Sequence, residues 1–92
     1  MELVRAHVFI EGKVQGVFYR SWTRSMAESF GLTGWIKNLE DGRVEAVFEG
    51  ETEKVEEMIA KSKEGSKAAE VKHVDIMWEE AEGNFVEFKV FG

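Results

Sequence analysis

Within the first third of the chain, apolar residues recur first at every second position and then at every fourth, and a short glycine loop separates the two patterns. Every second residue from Val4 to Ile10 is apolar, which predicts a strand over residues 4–11 with one buried face. Every fourth residue from Trp22 to Phe30 is apolar, which predicts a helix over about residues 20–30. A chain that passes so directly from strand to helix must bury the two elements against each other.

The remainder of the chain repeats this alternation of strand and helix patterns. Asp41-Gly42 is a strong signal for a tight hairpin, and Gly65 marks the end of a second helix. The predicted elements after the first helix are strands at 34–39 and 44–50, a helix at 52–64, and strands at 74–78 and 86–90. This order predicts an α+β fold of the ferredoxin-like type, a sandwich built from split βαβ halves, with two helices on one face of a mainly antiparallel four- to five-stranded sheet.

Length and composition indicate a single domain over residues 1–92. A chain of 92 residues with 43% hydrophobic residues can bury one core. Because it has no cysteine, it has no disulfide, no thiol nucleophile and no thiolate metal site. No apolar run is long enough to span a membrane and no signal peptide is recognisable, so we expect a cytoplasmic protein without a membrane partner. We also expect a monomer.

The net charge of −6 opposes general attraction to nucleic acid, which binds clusters of lysine and arginine. We therefore expect no nucleic-acid partner, and only a small anion could be held, by a local positive site. Sixteen of the eighteen acidic residues are glutamates, and the side-chain amides are limited to Gln15, Asn38 and Asn84. Such a composition is typical of heat-adapted proteins and predicts thermal unfolding above about 60 °C.

The segment Gly12–Arg20 has the features of an anion-binding loop. Gly12 and Gly16 allow the backbone to curve with its N–H groups pointing inward, and the start of the predicted helix adds about half a positive charge. Arg20 adds a guanidinium group that can hold two phosphate oxygens at once. Taken alone the loop is a weak signal, because Arg20 by itself is more often a solvated residue of the first helical turn.

Three motifs follow one another in the first half of the chain. They are Gly12-Lys13-Val14-Gln15-Gly16-Val17-Phe18-Tyr19-Arg20, Gly31-Leu32-Thr33-Gly34-Trp35-Ile36-Lys37-Asn38 and Asp41-Gly42-Arg43-Val44-Glu45, with Thr23 and Ala27 between the first two. In these motifs the chain resembles the acylphosphatase family. The motifs cover about a third of the chain, and the predicted element order and the length agree with the family over the rest.

The resemblance implies a hydrolase that splits the carboxyl-phosphate anhydride bond of small acyl phosphates into a carboxylate and inorganic phosphate, which also competes with the substrate. In the family the arginine that ends the loop binds the phosphate, and the asparagine of the second motif orients the attacking water. Here these residues are Arg20 and Asn38. The implied phosphate cradle consists of the backbone N–H groups of Gln15, Gly16, Val17, Phe18 and Tyr19.

The same resemblance implies that the substrate assists its own hydrolysis. Asn38 cannot act as a base, because a neutral amide takes up no proton near pH 7, although it can accept a hydrogen bond from water and donate one. The substrate phosphate would then take the proton. We expect no covalent intermediate, no cofactor and no metal ion.

Each assignment has an alternative. Asn38 could cap the Asp41-Gly42 hairpin, a position that suits asparagine. Thr23 could support the site through its hydroxyl, or that hydroxyl could bond back to the preceding helical turn. For the whole chain the alternatives are a non-catalytic regulatory module that binds phosphate or an acyl phosphate, an RNA-binding module, and a carbamoyl-phosphate-handling domain of a larger maturation enzyme. The net charge opposes RNA, and the absence of a linker before Gly92 favours a free-standing enzyme.

The chain departs from the family pattern at two places. Tyr19 stands where phenylalanine is common, and its hydroxyl needs a partner. The connection Gly65–Ala69 lacks the usual Gly-Pro pair, which leaves the path of this loop and its effect on substrate selectivity open.

Overall fold

A computed structural model describes residues 2–92, which form two helices and a five-stranded sheet. The elements are β1 (Leu3–Lys13), α1 (Tyr19–Ser29), β2 (Thr33–Asn38), β3 (Val44–Glu51), α2 (Thr52–Glu64), β4 (Glu70–Glu80) and β5 (Phe88–Val90). The strand order is β4-β1-β3-β2-β5, and all neighbours are antiparallel except β2 and β5. The predicted α+β ferredoxin-like fold is confirmed. Neither of the helices described here has the length and apolar character needed to cross a membrane.

The core lies between the sheet and the two helices. α1 contacts β2 and β5, and α2 contacts β1, β3 and β4. The central strands contribute fully buried pairs that face each other, namely Ala6 with Phe48, Val8 with Ala46 and Ile10 with Val44. Val55 and Met58 of α2 belong to the same buried cluster. Each such side chain contributes about 1–3 kcal/mol when it leaves water, so the sheet and helices form one rigid support.

The buried face of α1 is shifted from the predicted one. The predicted stripe contacts the core but is only partly buried, and consists of Trp22, Met26 and Phe30. The most buried residues form the neighbouring stripe of the helix and are Tyr19, Thr23 and Ala27. This shift places the ring of Tyr19 inside the core, directly below the start of the helix.

Strand β4 is longer than predicted, because it pairs with almost the whole of β1. It covers Glu70–Glu80 rather than residues 74–78. The pairing shifts at a bulge between Glu11 and Gly12. Gly12 has a φ of +130°, and a Cβ atom there would lie 2.1 Å from the carbonyl oxygen of Glu70. Only glycine fits this bulge.

Strand β5 is shorter than predicted. It begins at Phe88 rather than at residue 86, because its parallel pairing involves only Gly34–Ile36 of β2. The side chain of Val86 is 89% exposed and belongs to the connection between β4 and β5. The apolar alternation of residues 86–90 therefore predicted the strand correctly and its first residue wrongly.

A buried ion pair fastens this connection to the face of the sheet that the helices leave open. Nε of Arg5 lies 2.9 Å from the carboxylate of Glu49, which is 5% exposed. Arg5 also donates to Glu82 and Asn84, and Glu49 accepts hydrogen bonds from the backbone N–H groups of Glu82 and Gly83. Burial by itself would raise the pKa of Glu49, but these hydrogen bonds and the Arg5 charge outweigh it and lower the pKa.

Replacing Glu49 by glutamine should lower the free energy of unfolding at pH 7 by about 1–3 kcal/mol, because Arg5 and the N–H groups of Glu82 and Gly83 lose a charged acceptor. Since the pKa of Glu49 in the folded state lies below its ordinary value of 4.5, this contribution is present above that value. It is lost as the pH falls through the lower, folded-state pKa. Urea unfolding of both proteins from pH 7 to about pH 3 should show their stabilities converging.

The exposed Glu56 on α2 provides the matched control. The Glu56→Gln variant should keep the stability of the unsubstituted protein at pH 7. A stability gap between Glu49→Gln and the unsubstituted protein that stays constant down to about pH 3 would contradict this account of Glu49.

Candidate active site

A cleft of about 350 Å³ lies where the loop 14–18, the start of α1 and the end of β2 meet. Five of the residues predicted for the site line it, namely Gly16, Phe18, Tyr19, Arg20 and Asn38. The remaining wall was not predicted and comes from Val14, Ser21 and Val90. The other predicted residues, Gln15, Val17 and Thr23, lie beside the cleft without lining it. Two motifs that are separate in the sequence thus meet in one cavity.

The start of α1 lacks the capping and acidic side chains that usually stabilise a helix N-terminus. Its N-cap residue, Phe18, makes no side-chain cap hydrogen bond, and the first turn contains no acidic residue. α2 follows the usual pattern, with Glu53 in its first turn and Lys61 and Lys63 in its last. Arg20 lies in the first turn of α1, where a cation is unfavourable beside the positive helix end. An anion bound at this position would accept hydrogen bonds from the uncapped N–H groups and would offset the positive charge of Arg20 and of the helix start.

Two carbonyl groups of the loop before α1 accept hydrogen bonds. The carbonyl oxygen of Val17 accepts a hydrogen bond from the Ser66 hydroxyl, and that of Phe18 accepts one from the N–H of Trp22. By contrast, the N–H groups of the loop residues Gly16, Val17 and Phe18 donate to no backbone carbonyl within residues 2–92. These N–H groups are therefore free to bind a ligand, and two of the three residues, Gly16 and Phe18, line the cleft.

Two residues with positive φ give the loop its curvature. Gly16 has a φ of +72°, and Phe18 has a φ of 60° and a ψ of 23°. Phe18 is the one residue other than glycine with positive φ among those described, residues 2–92. A left-handed conformation costs such a residue about 1–2 kcal/mol. Successive N–H groups that curve in this way form a concave anion site of the kind found in phosphate-binding loops.

The side chain of Arg20 is held by a contact that the sequence did not predict. One guanidinium nitrogen of the half-buried Arg20 donates a hydrogen bond to the carbonyl oxygen of Phe91. The contact joins residues 71 positions apart, and the residue before it, Val90, lines the cleft. This partner is a neutral carbonyl group, so the guanidinium is oriented without its charge being neutralised.

The side-chain oxygen of Asn38 is buried and has no hydrogen-bond partner within the described part of the chain. The hairpin that follows is closed by other groups, since the N–H of Leu39 donates to the carbonyl of Arg43 and the N–H of Arg43 donates to Asp41. The alternative interpretation of Asn38 as a hairpin cap lacks the hydrogen bond that it requires. A buried polar atom without a partner costs about 1–3 kcal/mol, and Asn38 is also one of the residues that line the cleft.

Gln15 connects the loop to the hairpin that carries Asn38. Its side-chain amide donates to the carbonyl oxygens of Leu39 and Arg43, at 2.8 and 2.9 Å. The sequence predicted a role only for its backbone N–H group. Both N–H bonds of the amide are used, so the side chain fixes the distance between the anion loop and Asn38.

The connection between α2 and β4 supports the loop from the other side. Ser66 is buried, and its hydroxyl donates to Val17 at 3.1 Å. The Tyr19 hydroxyl finds its partner in the carbonyl oxygen of Ser62, at 2.8 Å. Burial raises the pKa of Tyr19, so its phenol stays protonated. The Thr23 hydroxyl is fully buried and does not bond back to the preceding helical turn.

Comparison with known proteins places this geometry in context. The family model described as Acylphosphatase matches residues 6–90. An acylphosphatase of Pelotomaculum thermopropionicum is 49% identical over 90 residues, which are 98% of each chain. One of Haloarcula marismortui is 52% identical over 83 residues, covering 90% of this chain and 91% of that one. A solved acylphosphatase from Coxiella burnetii superposes with a TM-score of 0.93 at 38% identity, over 98% of this chain and 94% of that one.

Proposed function

The chain belongs to the acylphosphatase family and hydrolyses acyl phosphates, and we propose that Arg20 and Asn38 carry out this reaction in the cleft at the start of α1. One observation supports the proposal most directly. The same cleft is lined by a positive helix start without a negative partner and by a buried amide whose oxygen has no hydrogen bond. The first feature suits a phosphate and the second suits a water molecule.

The phosphate would be held by charge and by directed hydrogen bonds together. The guanidinium of Arg20 binds one or two phosphate oxygens, and the backbone N–H groups from Gln15 to Tyr19 surround the others. Phosphoryl transfer passes through a loose transition state in which charge is spread over three oxygens, so donors that are already in position stabilise it. The contacts from Phe91 and Ser66 keep these donors in place before the substrate arrives.

Asn38 would place the attacking water on the face of the phosphorus opposite the acyl group. Its side-chain oxygen accepts a hydrogen bond from that water, whose oxygen then faces the phosphorus atom. The new bond forms between the water oxygen and phosphorus, and the bond between phosphorus and the bridging oxygen breaks. The bonding electron pair leaves with the carboxylate, which is a good leaving group and needs little help from an acid.

The proton of the water would pass to the substrate. Among the side chains that line the cleft in residues 2–92, none is a carboxylate or a histidine. Tyr19 is unsuited to act as a base, because burial raises its pKa and its hydroxyl is bonded to Ser62. A phosphate oxygen that is not held by Arg20 is then the acceptor, and the products are a carboxylate and inorganic phosphate. That phosphate occupies the same cradle and competes with the substrate.

Arg20 and the loop N–H groups supply positive charge at the phosphate, so the reaction would need no metal ion. A monomer of one domain stays a prediction from the sequence. We keep the cytoplasmic location and the heat-adapted stability as predictions from composition alone.

Replacing Arg20 by alanine should abolish turnover almost completely and weaken the binding of inorganic phosphate by at least about tenfold, because the charge contacts both substrate and product. Hydrolysis of benzoyl phosphate and calorimetric titration with phosphate measure the two effects. Arg24, which lies exposed on the same helix and pairs with Glu28, is the matched control. If Arg24→Ala were as damaging as Arg20→Ala, general electrostatic attraction and not a built site would explain the effect.

Replacing Asn38 by alanine should lower kcat by about 10²–10³, the range for loss of one positioned polar contact, while phosphate binding changes by less than about twofold. The assay should contain EDTA, so that activity of the unsubstituted protein under the same conditions tests the proposed independence of metal. Equal losses of phosphate binding in Asn38→Ala and Arg20→Ala would contradict the proposed division of roles.

Replacing Gln15 by leucine should lower kcat by about tenfold, because the hairpin that carries Asn38 loses both bonds to the loop. The decisive comparison is a double-mutant cycle with Asn38→Ala. If Gln15 acts through Asn38, its replacement should change kcat by less than about twofold when Asn38 is already absent. A full tenfold loss in both backgrounds would show that Gln15 supports the site by another route.

A further inference from the structure

A second groove adjoins the cleft on the far side of Phe18. Its volume is about 370 Å³, and its wall is formed by the end of the loop, the first two turns of α1 and the connection between α2 and β4. Phe18 and Ser21 line both cavities, whereas Asn38 lines only the cleft. The groove therefore extends from the cleft along α1, away from the end of β2 that carries Asn38.

We propose that this groove binds the acyl group of the substrate and selects flat, apolar acyl groups through Phe18, Trp22 and Ala68. The proposal rests on the proposed function, because in-line attack fixes where the acyl group must lie. A water held by Asn38 approaches phosphorus from one side, so the bridging oxygen and the acyl group leave on the opposite side. The groove shares Phe18 and Ser21 with the cleft but not Asn38, so it extends the cleft away from the proposed position of that water.

The exposed ring of Phe18 is the first argument for this assignment. Its side chain is 84% exposed, the second largest exposure among the exposed large apolar residues described. The backbone holds it in the left-handed conformation, which a phenylalanine rarely adopts. Strain of this kind is concentrated at functional sites, and here it keeps an aromatic face at the border between the two cavities.

The chemistry of the remaining wall matches an apolar group. Trp22 is partly buried beside Tyr19, with ring centroids 5.5 Å apart, so its indole is supported from below. Val17 and Ala68 add aliphatic surface, and charge is limited to Lys67. A flat ring inserted here would cover the face of Phe18 and displace water from apolar surface, which favours a benzoyl group over an acetyl group.

The groove is built into the fold and does not depend on a flexible loop. The hydroxyl of Ser66, itself 8% exposed, binds the carbonyl of Val17, and the N–H of Ala69 binds the carbonyl of Ser66. These two bonds fix Ala68 across from the first turn of α1. The connection Gly65–Ala69 therefore has a defined path without the Gly-Pro pair, and that path forms one wall of the groove.

The test uses two substrate analogues in which a methylene group replaces the bridging oxygen, so that binding is measured without hydrolysis. Phenacylphosphonate carries the benzoyl group and acetonylphosphonate carries the acetyl group. Calorimetric titration of the unsubstituted protein should show that the phenacyl compound binds about tenfold more tightly. This ratio of affinities should fall towards one in Phe18→Ala and in Ala68→Asp.

Ala60→Asp is the matched control, since it adds the same charge at an exposed position of α2 outside the groove. It should keep the tenfold ratio. Inorganic phosphate, titrated into every variant, shows whether the cradle has survived the substitution. A ratio near one in the unsubstituted protein, together with normal phosphate binding, would contradict the proposed acyl site but not the proposed phosphate site. Failure of the unsubstituted protein to bind phosphate and both phosphonates would overturn the anion site as well.

Discussion

The positive start of α1 is the feature around which the other contacts of the site are arranged. A helix start without an acceptor at its N-cap, and with an arginine in its first turn, is unfavourable until an anion arrives. Contacts with three distant segments hold it in this state. The Gln15 side chain donates to the hairpin after β2, the Ser66 hydroxyl donates to the loop, and the Phe91 carbonyl accepts from Arg20. The first two contacts use no N–H group of the loop backbone, and the third occupies only one guanidinium nitrogen of Arg20. The N–H groups of the loop and the guanidinium of Arg20 are left to face inward.

This arrangement is locally destabilising, and the rest of the fold offsets it. The left-handed Phe18 and the unpaired oxygen of Asn38 each cost about 1–3 kcal/mol. The helices cover one face of the sheet with a continuous apolar core, and the Arg5–Glu49 pair fastens the connection on the other face. The strained residues are thus attached to elements that are stabilised elsewhere, which is the usual relation between a site and its scaffold.

Periodicity was sufficient to predict most of the fold, because the apolar residues of β1, α1 and α2 recur on the face that is more deeply buried. It failed at β4 and β5, whose ends are determined by the strand beside them and not by their own residues. The motifs predicted that Arg20 and Asn38 share a site, and one cleft contains both. The contacts of Gln15 and Phe91 could not be predicted, because they join residues 24, 28 and 71 positions apart through side-chain or backbone groups that carry no local pattern.

The site is complete only when Arg20 has bonded to Phe91, which follows the last strand in the sequence. β5 joins the sheet by parallel pairing with β2, and contacts between segments so far apart in the sequence form slowly, since the chain between them must first be ordered. A partly folded chain that has formed β1, α1 and the β2–β3 hairpin already contains both proposed catalytic side chains. Its arginine is nevertheless unanchored. The recovery of full activity during refolding would therefore report closure of the last strand, not formation of the loop that binds the phosphate.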